Sequence, residues 1–386
     1  MTDLPGEPPA SPAPEDLAPL DAPPLPPGPE PGFEPAPAAP PPPLPDLSPR
    51  PFRFTGSGSE YFRIWIVNLL LSLLTLGVYS AWAKVRRLRY FYGHTSVDGG
   101  SFGYHASPIA ILKGRLVAYT VVLVFAAVGY VAPLVANILY LPLLVLMPIV
   151  LVRAFRFRAA NSSYRGIRFS FEGMENDAFR VYLLLPLIVP FTLGLIYPFV
   201  VARQREFYVD NSRLGRSPFR LAMPTWPVYR IYGLAALVGL AWLGMALFVA
   251  AGAMVAGGGD SDSPIFGGGV AVAVLVAYVG IGVLYVGVRT AFENLVWNHT
   301  WLDEHRFASR LRIGRMLGIY LVNILTIAAT LGLAVPWARV RLARYRAASL
   351  TLLPGGPLVS EADPSLDREG ATGAELSEAM DFDMGL

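Results

Sequence analysis

The feature that most constrains this chain is a set of six long stretches that contain no charged residue. About 20 apolar residues in a helix are enough to cross the hydrocarbon core of a bilayer, and each stretch is at least that long. They are residues 64–83, 116–152, 181–202, 231–259, 263–288 and 316–338. Because the stretch 116–152 has room for two helices, hydropathy predicts about seven apolar segments. The chain is therefore expected to be a polytopic integral membrane protein.

The distribution of charge favours a membrane setting over a soluble one. Only 15% of the residues are charged, against about a quarter in typical soluble domains. The net charge of +3 conceals an asymmetry, because residues 51–352 carry 29 basic and 12 acidic groups. A basic surplus also occurs in nucleic-acid-binding domains, but here the arginines flank the uncharged stretches, as in loops beside anionic lipid. We therefore expect membrane lipids, and no nucleic acid, as partners.

Both ends of the chain differ from the middle in composition. Residues 1–50 are acidic and rich in proline, and residues 353–386 are acidic and largely polar. Neither end has enough apolar residues for a core, so both are expected to be disordered tails. The first tail is a candidate binding segment for a protein partner, although a solvated tail is the simpler interpretation. The start of the sequence lacks the features of a secretory signal, so the first apolar stretch is expected to direct insertion.

An internal repeat organises the middle of the chain. Three short units start at Phe52, Phe169 and Phe307. Thr-Leu-Gly begins 23 residues after each start, a large aromatic residue lies seven residues beyond each threonine, and an arginine lies four further on. These residues are Thr75, Gly77, Trp82 and Arg86, then Thr192, Gly194, Phe199 and Arg203, then Thr330, Gly332, Trp337 and Arg341. The agreement without a gap predicts a structural repeat.

A second pattern lies at the junctions between units, where a polar pair precedes a phenylalanine by eight residues. The pairs are His94-Thr95, Asn161-Ser162, Asn211-Ser212 and His299-Thr300. The polar start, the glycines that lie midway in most of them and the aromatic finish predict a small β-hairpin at each junction. Two long units, with two helices each, then start at Phe102 and Phe219. The predicted fold class is all-α and polytopic, with short β-hairpins between internal repeats in a membrane domain of residues 51–352.

Two topologies fit these units. If each short unit crossed the membrane once, successive hairpins would alternate sides and the arginine clusters would be shared between both faces, which the positive-inside rule disfavours. The loops inside the two long units, at 133–142 and 257–269, hold no arginine. Placing all hairpins in the cytoplasm requires each short unit to return to the side it entered, as a re-entrant pair of half-depth helices broken at Thr-Leu-Gly. Seven single crossings and three re-entrant units both stay open.

The first unit carries a family resemblance. The stretch FRFTGSGSEYFRIWIVNLLLSLLTLGVYSAWAKVRRLRYFYGHTSVDGGSFGY resembles the YjgN-like family of bacterial inner-membrane proteins, which is defined by a domain of unknown function. The resemblance covers about 51–352, and the second short unit departs from it through Phe199 and three prolines, Pro186, Pro190 and Pro198. It implies a multi-pass protein of the bacterial inner membrane and supplies no activity. The arginine distribution then places both tails in the cytoplasm.

Residues with catalytic or metal-binding chemistry are few. The spacing of His299 and His305 does not fit a helical two-histidine metal site, and His94 and His299 occupy junction positions where asparagine stands elsewhere. A turn or capping role is therefore expected for these two histidines. The sequence has no cysteine and no nucleophile elbow, phosphate loop or dinucleotide fingerprint. We expect no enzymatic activity, no cofactor and no metal.

Polar residues inside the apolar stretches are the candidates for function. Asn68 and Asn323 lie 16 residues after their starting phenylalanines, where an amide either packs against a neighbouring helix or binds a solute. The three repeated arginines are expected at the membrane interface, with a shared anion site as the alternative. Candidate solute or lipid contacts are Asn68, Asn323, Thr75, Gly77, Thr192, Gly194, Thr330, Gly332, Arg86, Arg203 and Arg341.

Two functions follow from these candidates. The first is a transporter or channel for a small or anionic solute, with the broken segments as its pathway. The alternative is a non-catalytic membrane scaffold or lipid-interacting protein. No acidic residue lies within an apolar stretch, so a proton relay lacks its usual residue. The sequence leaves the oligomeric state open.

Overall fold

The computed structural model describes residues 47–356 of the chain. The predictions for the two tails therefore concern residues outside the described range, except for residues 47–50 and 353–356. Arg50 and Leu353, which the sequence assigned to the tails, belong to β-strands. The folded part is predominantly helical, as predicted, and also contains a larger sheet than the predicted hairpins.

Five consecutive units of the described chain have the same order of elements: strand, helical pair, strand. A two-residue strand, β1 (Arg50–Pro51), precedes them. The first two units consist of β2 (Arg53–Phe54), α1 (Gly58–Leu74), α2 (Ser80–Gly93) and β3 (Thr95–Val97), then β4 (Gly100–Tyr104), α3 (Pro108–Val131), α4 (Pro133–Ala160) and β5 (Ser162–Tyr164). The last two consist of β8 (Ser217–Leu221), α8 (Thr225–Ala256), α9 (Pro264–Asn298) and β9 (Thr300–Leu302), then β10 (His305–Ser309), α10 (Ile313–Ala329), α11 (Val335–Ser349) and β11 (Leu350–Leu353).

The third unit keeps this order but has an irregular first helix. Its elements are β6 (Ile167–Phe171), α5 (Glu175–Phe179), a π-helical turn (Arg180–Leu184), α6 (Leu185–Ile188), a 3-10 turn (Pro190–Thr192), α7 (Tyr197–Asp210) and β7 (Ser212–Leu214). Pro186 and Pro190 have no N–H to donate to the preceding turn, so a regular α-helix is interrupted there. Pro186 and Pro190 have no counterpart in the other two short units, whereas Pro198 corresponds to Pro336 of the fifth unit.

All eleven described strands form one antiparallel sheet in the order β1-β11-β10-β9-β8-β7-β6-β5-β4-β3-β2. The predicted hairpins are present as β3–β4, β5–β6, β7–β8 and β9–β10. The two ends of this order, β1 and β2, are separated in sequence only by Phe52, whose N–H donates to the carbonyl of Leu350 at 3.0 Å. The sheet therefore closes on itself, which the sequence did not predict.

One phenylalanine of each unit packs into the core at the sheet, four of them buried and Phe102 partly buried. Phe52 stacks on Phe102 at 6.2 Å between ring centroids and lies 6.4 Å from Phe307. Phe219 lies 6.4 Å from Phe307 and 6.2 Å from Phe169. These are the five phenylalanines at which the sequence-predicted units begin. Aromatic pairs at such distances contribute about 0.5–1.5 kcal/mol each beyond the burial of their surface. The contacts among these five phenylalanines therefore stabilise strands that are individually too short to be stable.

Polar pairs at the junctions end the helices where the strands begin. His94 and His299 bond through Nδ1 to the carbonyl four residues earlier, at 2.8 Å each. Asn161 and Asn211 donate to the equivalent carbonyls at 2.7 Å each. The following hydroxyl residues do the same, as Thr300 does to Val296 at 2.7 Å. These bonds satisfy the last carbonyls of each helix, and the capping role predicted for the two histidines is confirmed.

The helices differ in length between units. Within residues 47–356, four helices are long and apolar enough to cross a membrane, namely α3, α4, α8 and α9, and α10 is a shorter apolar helix. These four belong to the second and fourth units, which are the predicted long units. The remaining apolar stretches form the short helical pairs of the first, third and fifth units. The predicted count of about seven apolar segments, three of them re-entrant in one of the two topologies, therefore stays a prediction.

Each short helical pair reverses direction at its Thr-Leu-Gly segment. Leu76, Leu193 and Leu331 have φ between 48° and 50°, and the following glycines have φ between 82° and 94°. In the fifth unit, the hydroxyl of Thr330 donates to the carbonyl of Thr326 at 2.7 Å and accepts from the N–H of Ala334 at 2.9 Å. One side chain thus caps the end of one helix and the start of the next. Thr75 makes the same two bonds in the first unit.

The backbone at this reversal generates a stability prediction. Gly332 has φ +94°, whereas Gly318 lies within α10 with open space around its Cα. Replacing Gly332 with alanine places a Cβ in a left-handed conformation and is expected to lower the free energy of unfolding by about 1–2 kcal/mol. Gly318→Ala, the matched control, is expected to raise it by up to about 1 kcal/mol through helix propensity. Thermal unfolding of the detergent-solubilised protein measures both, and equal midpoints for the two variants would contradict the assignment.

Candidate functional site

The residues predicted as solute or lipid contacts are spread over three separate places in the fold. The Thr-Leu-Gly residues lie at the ends of the short helical pairs farthest from the sheet, and Leu76, Leu193 and Leu331 there are 92–96% exposed. The structure therefore does not enclose these segments in a protein-walled pathway. The predicted asparagines and arginines lie deeper in the helical pairs, and their partners are described next.

Asn323 and Asn68 have the same spacing in their units but different surroundings. Both amides are buried. The Oδ1 of Asn323 accepts from Nη1 of Arg341 at 2.8 Å, and its Nδ2 donates to the carbonyl of Ala338 at 3.3 Å. The Oδ1 of Asn68 is buried and meets no hydrogen-bond donor among the described residues. Asn323 therefore ties α10 to α11 within one unit, which is the packing alternative of the sequence analysis.

The three repeated arginines are each engaged within their own unit. Arg86 is exposed and lies over the ring of Tyr79 at 5.7 Å. Arg203 lies over Phe199 at 5.1 Å and forms an ion pair with Glu206 at 2.6 Å. Arg341 binds Asn323 as described above. These arrangements suit separate interfacial anchors, while a role in binding a solute or lipid stays a prediction.

The described residues contain a cavity of about 820 Å³ between the third and fourth units. Its floor is the sheet, through Ser212, Phe219 and Thr300, and its walls rise along α7 and α9 to Tyr197 and Ile281. The irregular first helix of the third unit contributes Tyr182, which lies in the π-helical turn. Tyr182 donates its hydroxyl hydrogen to the carbonyl of Gln204 at 3.0 Å. Single π-helical turns are frequent at functional sites, and this one borders the cavity.

The charged residues that line this cavity, among those described, are two arginines and one glutamate. Arg289 donates to Tyr285 at 2.7 Å and to Oε1 of Glu293 at 3.0 Å. Arg346, which lies outside the lining, adds a bond of 3.2 Å to the same oxygen. Arg205 lies 6.0 Å from the ring centre of Phe292. Because one carboxylate is shared by two arginines, the cavity retains a positive surplus at its sheet end.

The size and lining of this cavity suit a ligand-binding site. Cavities of about 300–1,000 Å³ with apolar walls and a few convergent polar groups are typical ligand sites. Not one of the eleven predicted contact residues, all within the described range, lines this cavity. Pro186 and Arg205 line it and are visible in the sequence, but neither predicts the convergence of α7 and α9, which depends on tertiary packing.

Histidines and acidic residues do not gather into a metal centre in the described part of the chain. Within residues 47–356, no group of three or more His, Cys, Asp or Glu residues is placed to hold a metal ion. The Nε2 of His105 bonds to Ser163 at 2.8 Å, and the Nδ1 of His305 accepts from the N–H of Gly355 at 3.2 Å. Burial lowers the pKa of both histidines, which favours their neutral form and these structural bonds.

The asparagine pair generates a prediction about stability. Asn323→Leu leaves the guanidinium of Arg341 without its amide acceptor, so we expect the free energy of unfolding to fall by about 1.5–3 kcal/mol. Asn68→Leu removes a buried oxygen without a partner, and the equivalent position of the third unit is Leu185, so we expect no loss or a gain of about 1 kcal/mol. Denaturation in detergent compares the two variants, and a larger loss for Asn68→Leu would refute the packing interpretation.

The comparisons with known proteins agree with a helical membrane protein. Relatives include inner membrane protein YjgN of Escherichia coli O157:H7, 32% identical over 158 residues, and of Escherichia coli strain K12, 33% identical over 155 residues. Inner membrane protein YjgN of Salmonella typhimurium strain LT2 is 28% identical over 144 residues. These matches cover 37–39% of this chain and 36–38% of the relatives' own length.

No solved structure matches the chain. The four apolar helices and the named relatives together make this an integral membrane protein. A further match, to a family described as bacterial proteins of unknown function, extends over residues 49–379. Because that match includes nearly the whole folded region, the chain belongs to the DUF898 family.

Proposed function

We propose that this protein is a lipid-interacting membrane scaffold of the bacterial inner membrane. It spans the bilayer with two helical pairs and inserts three short helical pairs into the leaflet next to its sheet. One observation carries the proposal: every helical pair begins and ends at the same closed sheet, whether its helices are long or short. A unit whose two ends lie on one side crosses the membrane twice or turns back within it.

The positions of charged residues support this placement. Every charged residue of the helical pairs lies within ten residues of the sheet end of its helix; Arg289 of α9 and Arg339 of α11 are among the farthest. Ten helical residues span about 15 Å. Beyond that level, all five pairs are uncharged up to the point where the chain reverses. The level at which the charges stop is therefore the boundary of the hydrocarbon.

The lengths of the uncharged runs then give the depth of each pair. In the short pairs these runs are 64–83, 181–202 and 316–338, so about ten residues lead inward and about ten lead back. Ten residues reach about 15 Å, half of a hydrocarbon core of about 30 Å. In the second unit the run 116–152 allows about 18 residues each way, which is enough for a full crossing. The short pairs thus insert into one leaflet.

The ends of the short pairs have the chemistry that hydrocarbon demands. Their leucines are almost fully exposed, which is costly in water and favourable in lipid. In lipid every backbone polar group needs a partner from the protein. The N–H of Gly332 donates to Ile327 at 2.8 Å, and the hydroxyl of Thr330 bridges the two helices. The chain therefore reverses direction while few backbone groups are left without a partner.

The sheet side is the cytoplasmic side in this proposal. Arginines are frequent at the sheet and at the sheet ends of the helices, whereas the loop between α8 and α9 at the opposite end carries Asp260 and Asp262 and no basic residue. The positive-inside rule places the arginine-rich side in the cytoplasm. Both tails extend from β1 and β11 of the same sheet, so they start on that side too.

Transport of a small or anionic solute, the first hypothesis from the sequence, is the second candidate function here. It required a pathway lined by the broken Thr-Leu-Gly segments, and the exposure of their leucines favours lipid as the neighbour instead. Flux into liposomes with a panel of solutes tests it directly. Flux that falls in the double variant Asn68→Leu plus Asn323→Leu, but not in the control variant Gly318→Ala, would favour transport over the scaffold.

The topology generates a labelling prediction. The chain has no cysteine, so single cysteines report one position each. Ser101→Cys, on an exposed residue of β4, and Arg216→Cys, in the exposed turn between β7 and β8, are expected to react with an impermeant maleimide only from the cytoplasmic face of inside-out vesicles. Asp260→Cys, in the loop at the far end, is expected to react only from the opposite face. Seven single crossings would place Ser101 and Arg216 on opposite faces, and that result would overturn the proposal.

The depth of the short pairs generates a second prediction. A nitroxide attached to Leu76→Cys, Leu193→Cys or Leu331→Cys is expected to lie near the bilayer midplane, more accessible to oxygen than to a polar nickel complex. The same label on Arg216→Cys is the matched control and is expected to favour the nickel complex. Labels on the three leucine positions that behave like the control would exclude insertion of the short pairs, even if the labelling topology is correct.

A further inference from the structure

We infer that the cavity between the third and fourth units is a binding site for one anionic phospholipid, whose phosphate contacts Arg205 and Arg289. This inference rests on the proposed function, because it places the cavity in the leaflet on the sheet side. It adds a defined ligand class and a defined site to a general interaction with lipid. Three properties of the cavity carry it: its depth, its charge and its opening.

The depth of the arginines matches the level of lipid headgroups. Arg289 directly follows the uncharged run 263–288 in α9, and Arg205 lies three residues after the end of the uncharged run 181–202. Both guanidinium groups therefore lie at the boundary between the charged sheet side and the apolar region. Phospholipid phosphates occupy that boundary in a bilayer, and arginine binds phosphate through paired hydrogen bonds from its planar fork.

The charges of the cavity select an anion. Its lining, as far as the structure describes it, contains Arg205, Arg289 and Glu293 as charged residues. Glu293, the single acidic residue of that lining, is bonded to Arg289 and to Arg346, so arginines outnumber carboxylates at this end of the cavity. Gln204, which also lines the cavity, adds a polar side chain near Arg205. A zwitterionic headgroup would bring its own cation into this positive surrounding, so an anionic headgroup is favoured.

The walls of the cavity suit an acyl chain that enters from the bilayer. Above the arginines the lining becomes apolar and aromatic, with Pro186, Tyr197, Leu284 and Ile281 among its residues. Tyr197 and Ile281 are also 47% and 63% exposed, so this apolar end of the cavity is open rather than enclosed. The cavity therefore borders the lipid laterally, at a depth that the acyl chains occupy. A lipid enters it without leaving the membrane.

Lipid retention by the purified full-length protein tests the inference. Native mass spectrometry of the detergent-solubilised chain, titrated with palmitoyl-oleoyl phosphatidylglycerol, is expected to give one retained lipid per chain. Arg205→Gln and Arg289→Gln each remove charge-assisted bonds to the phosphate, so we expect the affinity for that lipid to fall about tenfold or more. Arg180→Gln is the matched control in the same unit, exposed and outside the cavity, and is expected to change the affinity less than about twofold.

Three further arms separate the sources of an anion. Phosphatidylcholine with the same acyl chains is expected to bind at least about tenfold more weakly, and oleic acid and inorganic phosphate are expected not to displace the retained lipid. Equal retention of phosphatidylcholine, or displacement by inorganic phosphate alone, would overturn the inference. Displacement of the retained phospholipid by oleic acid would assign the site to a carboxylate ligand. That result would also overturn the inference.

A second variant keeps the test valid if an arginine variant does not fold. Ile281→Trp fills the apolar part of the cavity from its exposed edge and leaves the arginines in place, and it is expected to weaken lipid retention at an unchanged unfolding midpoint. Undiminished retention in this variant would overturn the inference. The depth of the labels at Leu76, Leu193 and Leu331 is measured independently, so failure of the lipid site and failure of the scaffold proposal are distinguishable.

Discussion

Closure of one antiparallel sheet is the constraint on which this structure depends. The strands are two to five residues long, and isolated pairs of such strands are only marginally stable in water. Closure removes the exposed edges that an open sheet would present. The five phenylalanines at which the units begin pack against one another in the core of this sheet. Because both ends of every helical pair are hydrogen-bonded into this sheet, every unit returns the chain to the sheet at which it began. The sheet thereby sets the topology of the membrane-facing part.

The same local chemistry appears in units that differ in length. Junction residues such as Asn161 and His299 end their helices through the carbonyl four residues earlier, and Thr75 and Thr330 bridge two helices at the reversal. A short unit and a long unit thus share their attachment to the sheet and differ in how far their helices extend. Agreement between local propensity and global fold at each of these points is typical of sequences that specify one structure.

Local patterns made much of this fold predictable from the sequence. The apolar stretches indicated the membrane setting, the polar pairs indicated the hairpins, and the spacing from Phe52, Phe169 and Phe307 located the reversals. Sheet closure escaped prediction because β1 and β2 are two residues each and carry no periodic signal. The cavity escaped it because α7 and α9 meet only through packing, and Asn68 and Asn323 show that equal spacing does not guarantee equal partners.

The position of Phe52 has a consequence for the order of assembly. This residue and its flanking strands belong to the start of the folded chain, yet Arg50 pairs with Leu352 at its very end. Contacts of such large sequence separation form late, because the intervening chain must first be brought together. During synthesis β1 therefore stays unpaired until β11 has been made. The sheet of a newly made chain stays open until β11 pairs with β1 and β10.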